Sequence, residues 1–355
     1  MRKYLLLLLA LLLALACTAT AEDEEFSIED ILSGVKPEVV EKTIVQPTPE
    51  PSAAVEEEEA SIYEPDGSIL ITLSALGDFS LGGDLYEAEL AKQNSNIHFP
   101  LRNIGETLTQ DDVTLMNLES AVDAQVLTQG SVEAVSLGND GVLALDENAQ
   151  QELKQTMSLA GIAYAQNAEV GVKEIKGIQV AMLSYSCLED FDRVVSRIPQ
   201  DVAAARTQYP IVIVSFHWGR ENTYIPDEQQ VLLGRLAVDS GASLVLGHHS
   251  RRIQPIEYYK GAYICYSLGS FCYTGEDKPS DMSSYIFQTR FRMRDGLVEA
   301  DGFRILPIRI SSRTDRNDFT PSLLDKATAV DSILNTLREN GSTLQFAVED
   351  YPLTW

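Results

Sequence analysis

Three of the four histidines in this chain follow apolar runs, at positions where side chains could bind a metal ion. His217 comes directly after residues 211–216, and His248 and His249 come after the run that begins at Ser243. In an open α/β sheet, ligands gather beyond the carboxyl ends of strands, where side chains from separate loops converge. Neutral imidazole is the commonest protein ligand for transition metals. The spacing therefore predicts a metal site at strand ends.

Other polar side chains follow further apolar runs in the same way. Asp78 follows residues 69–76, Glu119 follows 113–116, and Asn139 follows 132–137. Carboxylate, amide and imidazole ligands together suit Mn, Fe or Zn better than Ca. We therefore expect one or two divalent transition-metal ions, held by Asp78, Glu119, Asn139, His217 and His249.

Each of these residues also has an ordinary structural explanation. Asp78 and Asn139 could cap turns, Glu119 could be a loop carboxylate, and His217 could be a hydrogen-bonded core histidine. His248 is expected to pack or to form hydrogen bonds beside the site.

Strand and helix patterns alternate along the chain, which favours a layered α/β architecture. Strands are predicted at residues 69–76, 113–116, 132–137, 178–185, 211–216, 243–246 and 263–266. Helices are predicted at residues 146–159, from Pro226 to Gly241, and at 321–340. A hairpin is predicted at residues 284–309, with Asp295-Gly296 at its turn.

The first 66 residues differ in composition from the rest. Residues 1–21 have the basic start and apolar core of a secretory or lipoprotein signal, with lipid attachment at Cys17 or cleavage after Ala21 as alternatives. Residues 22–66 carry a net charge of −13, with 15 acidic residues against two lysines, and are expected to be a disordered linker. The main domain is expected at 67–312, followed by a helix and tail at 313–355.

The charge of −26 argues against nucleic acid as a partner, because nucleic-acid binding needs a basic surface. It also gives no long-range help in recruiting a polyanion, so affinity for one must come from a local site.

The short motifs around these residues resemble, in order and spacing, the CapA family of poly-γ-glutamate capsule biosynthesis. The resemblance covers Leu70 to Tyr273, and its motifs are Gly77-Asp78, Asn117-Leu118-Glu119, His217-Trp218-Gly219 with Glu221, Gly247-His248-His249, Gln254-Pro255-Ile256-Glu257 and Tyr266-Ser267-Leu268-Gly269. That family is similar to the calcineurin-like metallophosphatases. The resemblance implies a metallophosphatase-like layered α/β/β/α sandwich with metal ligands on loops at strand ends.

The chain departs from the family pattern at three points, one of which is Ser270 in place of the asparagine of a Ser-Leu-Gly-Asn-Phe motif. Asp140 stands where the family has the histidine of an Asn-Asn-His motif, and Arg251 stands where it has the second histidine of His-x-His. Arginine cannot ligate a cation, but it can hold a carboxylate or phosphate in a bidentate fork. The resemblance thus implies catalytic or substrate-positioning roles for Asp140, Arg251 and Glu221, beside a weakened metal site.

These residues favour two functions over a third, a surface lipoprotein with an unrelated ligand. The first is an exported, cell-surface capsule-synthesis protein that hydrolyses a phosphoester or amide in an anionic polymer, with capsule-synthesis membrane proteins as partners and a lipid anchor in the membrane. The alternative is a catalytically degenerate relative that binds a polyanion or acts as a scaffold.

Overall fold

Two β-sheets with helices on their outer faces make up the part of the chain that the computed structural model describes, residues 61–355. The predicted signal segment and residues 22–60 of the predicted linker lie outside the described residues. Within 61–355, no helix combines the length and the apolar character needed to cross a membrane. Contacts group Ala60–Trp355 into one unit, which includes the C-terminal helix and tail.

Strands and helices alternate along much of the sequence. The strands are β1 (Ile69–Phe79), β2 (Val113–Leu118), β3 (Ala134–Ser136), β4 (Ala163–Ala165), β5 (Asn167–Ile175), β6 (Ile178–Ser186), β7 (Ile211–His217), β8 (Leu244–His248), β9 (Ile256–Tyr259), β10 (Ala262–Cys265), β11 (Ser270–Cys272), β12 (Ser283–Arg294), β13 (Leu297–Arg309) and β14 (Ser322–Leu323). The helices are α1 (Gly83–Lys92), α2 (Gly105–Leu108), α3 (Ala124–Gln129), α4 (Asp140–Leu143), α5 (Glu147–Leu159), α6 (Phe191–Gln208), α7 (Glu228–Asp239) and α8 (Ala327–Gly341).

Each sheet contains a run of parallel strands, which is flanked by antiparallel strands on one side in the first sheet and on both sides in the second. The first has the order β14-β13-β12-β1-β2-β3-β4, with β11 also paired to β1, and the second has the order β5-β6-β7-β8-β10-β9. Strands β1 to β4 run parallel in the first sheet, and β6, β7, β8 and β10 run parallel in the second. The carboxyl ends of the parallel strands within each sheet therefore meet at one edge.

Three apolar layers explain why the central strands are continuous apolar runs. Along β7, Ile211 and Ile213 lie in the core between the two sheets, whereas Val212 and Val214 face the core under α6 and α7. A third core lies between the first sheet and its covering helices, including α5. Strands buried on both faces need apolar residues at every position. These cores define an α/β/β/α sandwich, so the predicted fold class is confirmed.

The ends of the predicted elements agree with the structure to within two residues, except at two ends. The hairpin of β12 and β13 turns at Asp295 and Gly296, both with positive φ, as predicted. The C-terminal helix begins at Ala327 instead of residue 321, because Ser322–Leu323 pairs with β13. Strand β1 continues through Gly77 and ends at Phe79, because the backbone of Gly269 lies against it and accepts a hydrogen bond from the Asp78 amide.

A buried row of serine hydroxyls joins the two sheets. Ser136 of β3 lies 2.6 Å from the Ser184 hydroxyl of β6 and accepts a hydrogen bond from Ser215 of β7 at 3.0 Å. All three are at most 3% exposed, so each needs these partners. The Ser184 hydroxyl also accepts a hydrogen bond from Gly138 N, so the row supports the loop that leads to Asn139.

At the opposite end of β2, Asp111 gives the fold a pH-dependent stability. Burial, reinforced by the charges of Glu133 and Asp112, raises the pKa of Asp111 to about 7. The folded protein therefore retains a proton that the unfolded chain releases between pH 4 and 7. The free energy of unfolding should fall as pH rises through this window.

Replacing Asp111 with asparagine removes this titration and keeps an oxygen that can accept the Thr114 hydroxyl bond. We expect Asp111→Asn to gain on the order of 1 to 3 kcal/mol relative to the parent chain between pH 4 and pH 8. Urea unfolding of both proteins across this range measures the difference. The exposed Asp331→Asn serves as the control. A constant difference between parent and Asp111→Asn would contradict the prediction.

Candidate metal centre

The polar side chains that follow the parallel strands meet at one edge of the sandwich. Asp78 lies near the end of β1, and Glu119 directly follows β2. His217 is the last residue of β7, and His249 directly follows β8. The structure thus brings both sheets' strand ends together, as the sequence predicted.

Three glycines that precede candidate site residues allow neighbouring chain segments to pack closely. A Cβ atom at Gly77 would lie 1.9 Å from Gly269 O, and one at Gly247 would lie 2.0 Å from Tyr266 O. A Cβ atom at Gly138 would lie 2.5 Å from the Ser184 hydroxyl. Because packed interiors leave no room for such overlaps, these positions require glycine.

Asp140, His217 and His249 form the first group that could hold a metal ion. Nε2 of His217 lies 2.6 Å from Oδ1 of Asp140 and 3.0 Å from Nδ1 of His249. One ligand atom from each residue falls within 4.8 Å of the others. His217 is buried, whereas the Asp140 side chain is 59% exposed, so the group opens to solvent on the Asp140 side.

Asp78, Glu119 and His217 form the second group, behind the first. Its ligand atoms also lie within 4.8 Å of one another, and Nδ1 of His217 lies 3.7 Å from Oε1 of Glu119. His217 therefore faces one group with each ring nitrogen. A neutral imidazole has only one nitrogen with a free lone pair, so it can ligate an ion in one group at a time.

Asn117 has a central position that the sequence analysis did not assign to it. Its Nδ2 donates to Asp78 Oδ1 at 2.9 Å and to Glu119 Oε1 at 3.2 Å, and lies 3.4 Å from His217 Nδ1. The signal was available, because Asn117 follows the same apolar run as Glu119. We infer that this amide orients the two carboxylates.

The side chain of the predicted ligand Asn139 lies beside the site and forms hydrogen bonds through both its oxygen and its nitrogen. Its Oδ1 accepts a hydrogen bond from Val142 N and caps α4, while its Nδ2 donates to Leu118 O and to Asn117 Oδ1. In this arrangement the side-chain oxygen faces the helix. The Asn139 side chain therefore fixes the start of α4, where Asp140 lies, by hydrogen bonds.

His248 packs against Asp78, as expected. It is 2% exposed, and its Nδ1 lies 3.2 Å from Asp78 Oδ1. Oδ2 of the same carboxylate accepts a hydrogen bond from His249 N at 3.1 Å. Asp78 thus connects the end of β1 to the loop after β8.

The electrostatics of the site suit a cation. Burial, and then the charges of Asp78 and Asp140, raise the pKa of Glu119 well above its usual range. The hydrogen bond with His217 lowers the pKa of Asp140 to about 2, so this carboxylate is ionised at neutral pH. Burial, and then His217, lower the pKa of His249, which favours the neutral form that binds metals.

Arg251 and Glu221, predicted to position a substrate, are paired with each other at the rim. A guanidinium nitrogen of Arg251 lies 2.8 Å from Glu221 Oε1, and another donates to the Tyr273 hydroxyl at 2.8 Å. The guanidinium also lies 4.6 Å from the centre of the Tyr273 ring. Tyr273 was not identified from the sequence as a neighbour of Arg251. Its contacts hold the guanidinium in one orientation.

The loops around Arg251 have unusual backbone conformations. His249, Arg251 and Asn222 have φ values of 86°, 57° and 60°. Such conformations cost about 1–3 kcal/mol each for residues other than glycine, and they concentrate at functional sites. Asn222 N donates to Ser250 O at 2.7 Å, which ties the two loops together.

The segment Gln254-Pro255-Ile256-Glu257, one of the family motifs, acts in the fold and not at the site. Glu257 is fully buried, pairs with Arg235 at 2.6 Å and accepts the Tyr266 hydroxyl at 2.8 Å. Gln254 accepts a hydrogen bond from Gln230 at 2.9 Å. The segment therefore holds α7 against the second sheet.

Taken as a donor set, these residues fit a divalent transition metal. The first group offers two imidazoles and an ionised carboxylate, and three protein ligands with an open position are typical of catalytic sites. The clustering of Asp78, Glu119 and Asp140 carboxylates would be relieved by a positive charge among them.

Comparison with known proteins gives a consistent assignment. The family model described as bacterial capsule synthesis protein PGA_cap matches residues 72–274. The PGA biosynthesis protein CapA of Bacillus subtilis is 26% identical over 231 residues, which are 61% of this chain and 58% of that protein. The capsule biosynthesis protein CapA of Bacillus anthracis is 40% identical over 63 residues, 18% of this chain and 15% of that protein. The chain thus spans less than two thirds of these relatives.

Two solved structures are also similar. A phosphatase from Mycoplasma pneumoniae has a TM-score of 0.44 at 12% identity, covering 70% of this chain and 95% of its own. The calcineurin-like phosphoesterase YfkN from Bacillus subtilis has a TM-score of 0.44 at 13% identity, covering 77% of this chain and 99% of its own.

Proposed function

Because the chain belongs to the PGA_cap family of bacterial capsule synthesis proteins, we propose that it acts on an anionic cell-surface polymer such as poly-γ-glutamate. The reaction is a metal-dependent hydrolysis of a bond in that polymer. The observation that carries this proposal is the first group, in which Asp140, His217 and His249 place ligand atoms within 4.8 Å of one another.

One ion for each chain is the stoichiometry that this geometry favours. Both groups need His217, whose neutral ring can ligate through one nitrogen only. We assign the ion to the first group, where Nε2 of His217 lies near Asp140 and His249. Nδ1 then faces Glu119, as metal-bound imidazoles commonly face a carboxylate with the other nitrogen. Mn, Fe and Zn all suit these ligands.

A bound divalent ion supplies Lewis acidity toward a carbonyl or phosphoryl oxygen. The chain's own groups do the remaining work. Ionised Asp140 can accept a proton but cannot donate one at neutral pH. Arg251, held by Tyr273 and Glu221, can orient an anionic group of the polymer at the rim. In amide hydrolysis, water adds its oxygen to the carbonyl carbon, the C–N bond breaks, and the amine leaves with a proton.

Removal of metal tests the proposal. Purified protein should release new amino ends from poly-γ-glutamate. Chelation should lower this rate by more than about 100-fold, because the ion lowers the activation barrier by several kcal/mol. Adding back Mn, Fe or Zn should restore it. A phosphodiester assay in parallel identifies the bond that is cleaved. Equal rates with and without chelator would contradict metal-dependent hydrolysis.

A binding role without catalysis is the second candidate. It is favoured by the use of the Asn139 oxygen as a helix cap and by Asp140 in place of a histidine. In that case the protein would bind the polymer but cleave neither amide nor phosphodiester bonds, and its metal content would be negligible.

The proposal includes export to the cell surface, with lipid attachment at Cys17 or release after Ala21, and contact with capsule-synthesis membrane proteins. Its support is the N-terminal sequence pattern. Mass spectrometry of the mature N-terminus tests it, since acylated Cys17 and free Glu22 have different masses.

A further inference from the structure

A cleft of about 570 Å³ opens beside the first group and shares Asp140 with it. One wall is formed by Leu143 and the end of α4. The other wall is formed by the end of β6 and the first two turns of α6, including Arg193. Clefts of about 300–1,000 Å³ are typical of small-ligand sites. The cleft is therefore large enough for one or two units of a polymer chain.

The two arginines of the cleft differ in their partners. Arg197 is held by Asp201 through Nε at 3.2 Å and through Nη2 at 3.1 Å. Arg193 is exposed, and no carboxylate within residues 61–355 pairs with its guanidinium. Arg193 is thus available to hold an anionic group of a ligand.

The same wall also carries negative charge. Asp190 Oδ1 accepts the Arg193 amide hydrogen bond at 3.2 Å and caps α6, whereas Glu189 is exposed. Among the described residues, none donates a hydrogen bond to the Glu189 carboxylate. Together with Asp140, these carboxylates oppose a ligand that carries negative charge alone.

Apolar side chains complete the lining. Leu143 and Leu188 are each 37% exposed and both line the cleft. Among the described residues, the cleft therefore combines the unpaired guanidinium of Arg193, the unpaired carboxylate of Glu189 and an apolar surface between α4 and α6. A ligand that matches it carries both charges and has methylene groups.

We propose that this cleft binds the amino-terminal unit of a γ-linked glutamate chain, with Arg193 on its α-carboxylate and Glu189 on its α-ammonium. This inference rests on the proposed function. In such a chain, only the first unit carries both charges on one carbon, whereas inner units carry the carboxylate alone. The two methylenes of the unit lie against Leu143 and Leu188. Since the cleft shares Asp140 with the metal group, binding there directs an amide bond near the chain end toward the metal.

Calorimetry on the full chain in EDTA tests the cleft without a metal contribution. The probes are a γ-linked glutamate trimer with a free amino end and the same trimer acetylated on that amine. We expect the free trimer to bind at least about tenfold more tightly, which corresponds to one charge-assisted contact. Glu189→Gln should remove this preference. Arg193→Gln should weaken the binding of both trimers, also by about tenfold. Arg338→Gln, at an exposed arginine on α8, is the matched control.

Equal affinity of the two trimers, no binding of either, or unchanged binding in Arg193→Gln would overturn the inference. Competition by inorganic phosphate as strong as that of the free trimer would also overturn it, because the cleft would then be a phosphate site. Metal content and chelator-sensitive hydrolysis are measured separately. If the trimers did not bind as expected but hydrolysis still depended on metal, the inference about the cleft would be wrong and the proposed function would remain supported.

Discussion

Replacing His217 with alanine should abolish metal binding, because this residue belongs to both groups that could hold an ion. Loss of a side chain that only supports a ligand already costs about 10–100-fold in metal affinity. Removing the shared ligand should therefore lower affinity by more than about 100-fold. The measurement is elemental analysis after equilibration with Mn, Fe or Zn and removal of free metal.

His98→Ala is the matched control, because His98 lies outside both groups. It should retain the metal content of the parent chain. Retention of metal by His217→Ala, with its fold checked by circular dichroism, would show that the ion lies elsewhere or that binding is adventitious.

Two milder substitutions tell the groups apart. If the ion lies in the first group, Asp140→Asn should lower affinity strongly, while Glu119→Gln should have the smaller effect of a supporting residue. The Asp140 side chain is 59% exposed, so its replacement should leave the fold intact. The reverse order would place the ion in the second group.

The layered fold could be predicted because its central strands are buried on both faces. Such strands need unbroken apolar runs, and the run 211–216 before His217 is one of them. The C-terminal helix was predicted six residues too early. Whether residues 322 and 323 continue a helix or join β13 depends on a partner strand that local sequence does not reveal.

The sequence predicted that four side chains would meet because they follow strand ends: Asp78, Glu119, His217 and His249. It could not predict which atoms of these side chains face one another. The Asn139 oxygen faces α4, and Asn117 takes the central place between the carboxylates. Short polar side chains can either cap a helix or face a site, and tertiary packing decides between these.

The cleft beside Asp140 could not be predicted, because Leu143 and Arg193 come from separate segments with no recognisable motif. Arg251 was correctly placed near the other candidate residues. Its partners could not be read locally, because Glu221 lies on a loop before it in the chain and Tyr273 lies on a loop after it.

Gly77→Ala should unfold the protein or nearly so, although the predicted strand ends at residue 76, before this glycine. The added Cβ would lie 1.9 Å from Gly269 O and 3.0 Å from Gly269 C, which are backbone atoms that cannot turn aside. Strand β1 would have to move away from Gly269, which breaks the Asp78 N to Gly269 O hydrogen bond and shifts the Asp78 carboxylate. We expect a loss of more than about 4 kcal/mol in the free energy of unfolding.

Thermal and urea unfolding measure this loss, with Gly105→Ala as the control. A Cβ at Gly105 would meet its nearest atom at 3.8 Å, and Gly105 lies in α2 without a positive φ. Alanine there should be neutral or stabilising by up to about 1 kcal/mol, because glycine is a poor helix former. If both variants unfolded together with the parent chain, close packing at Gly77 could not be what places Asp78, and another contact would have to position this carboxylate.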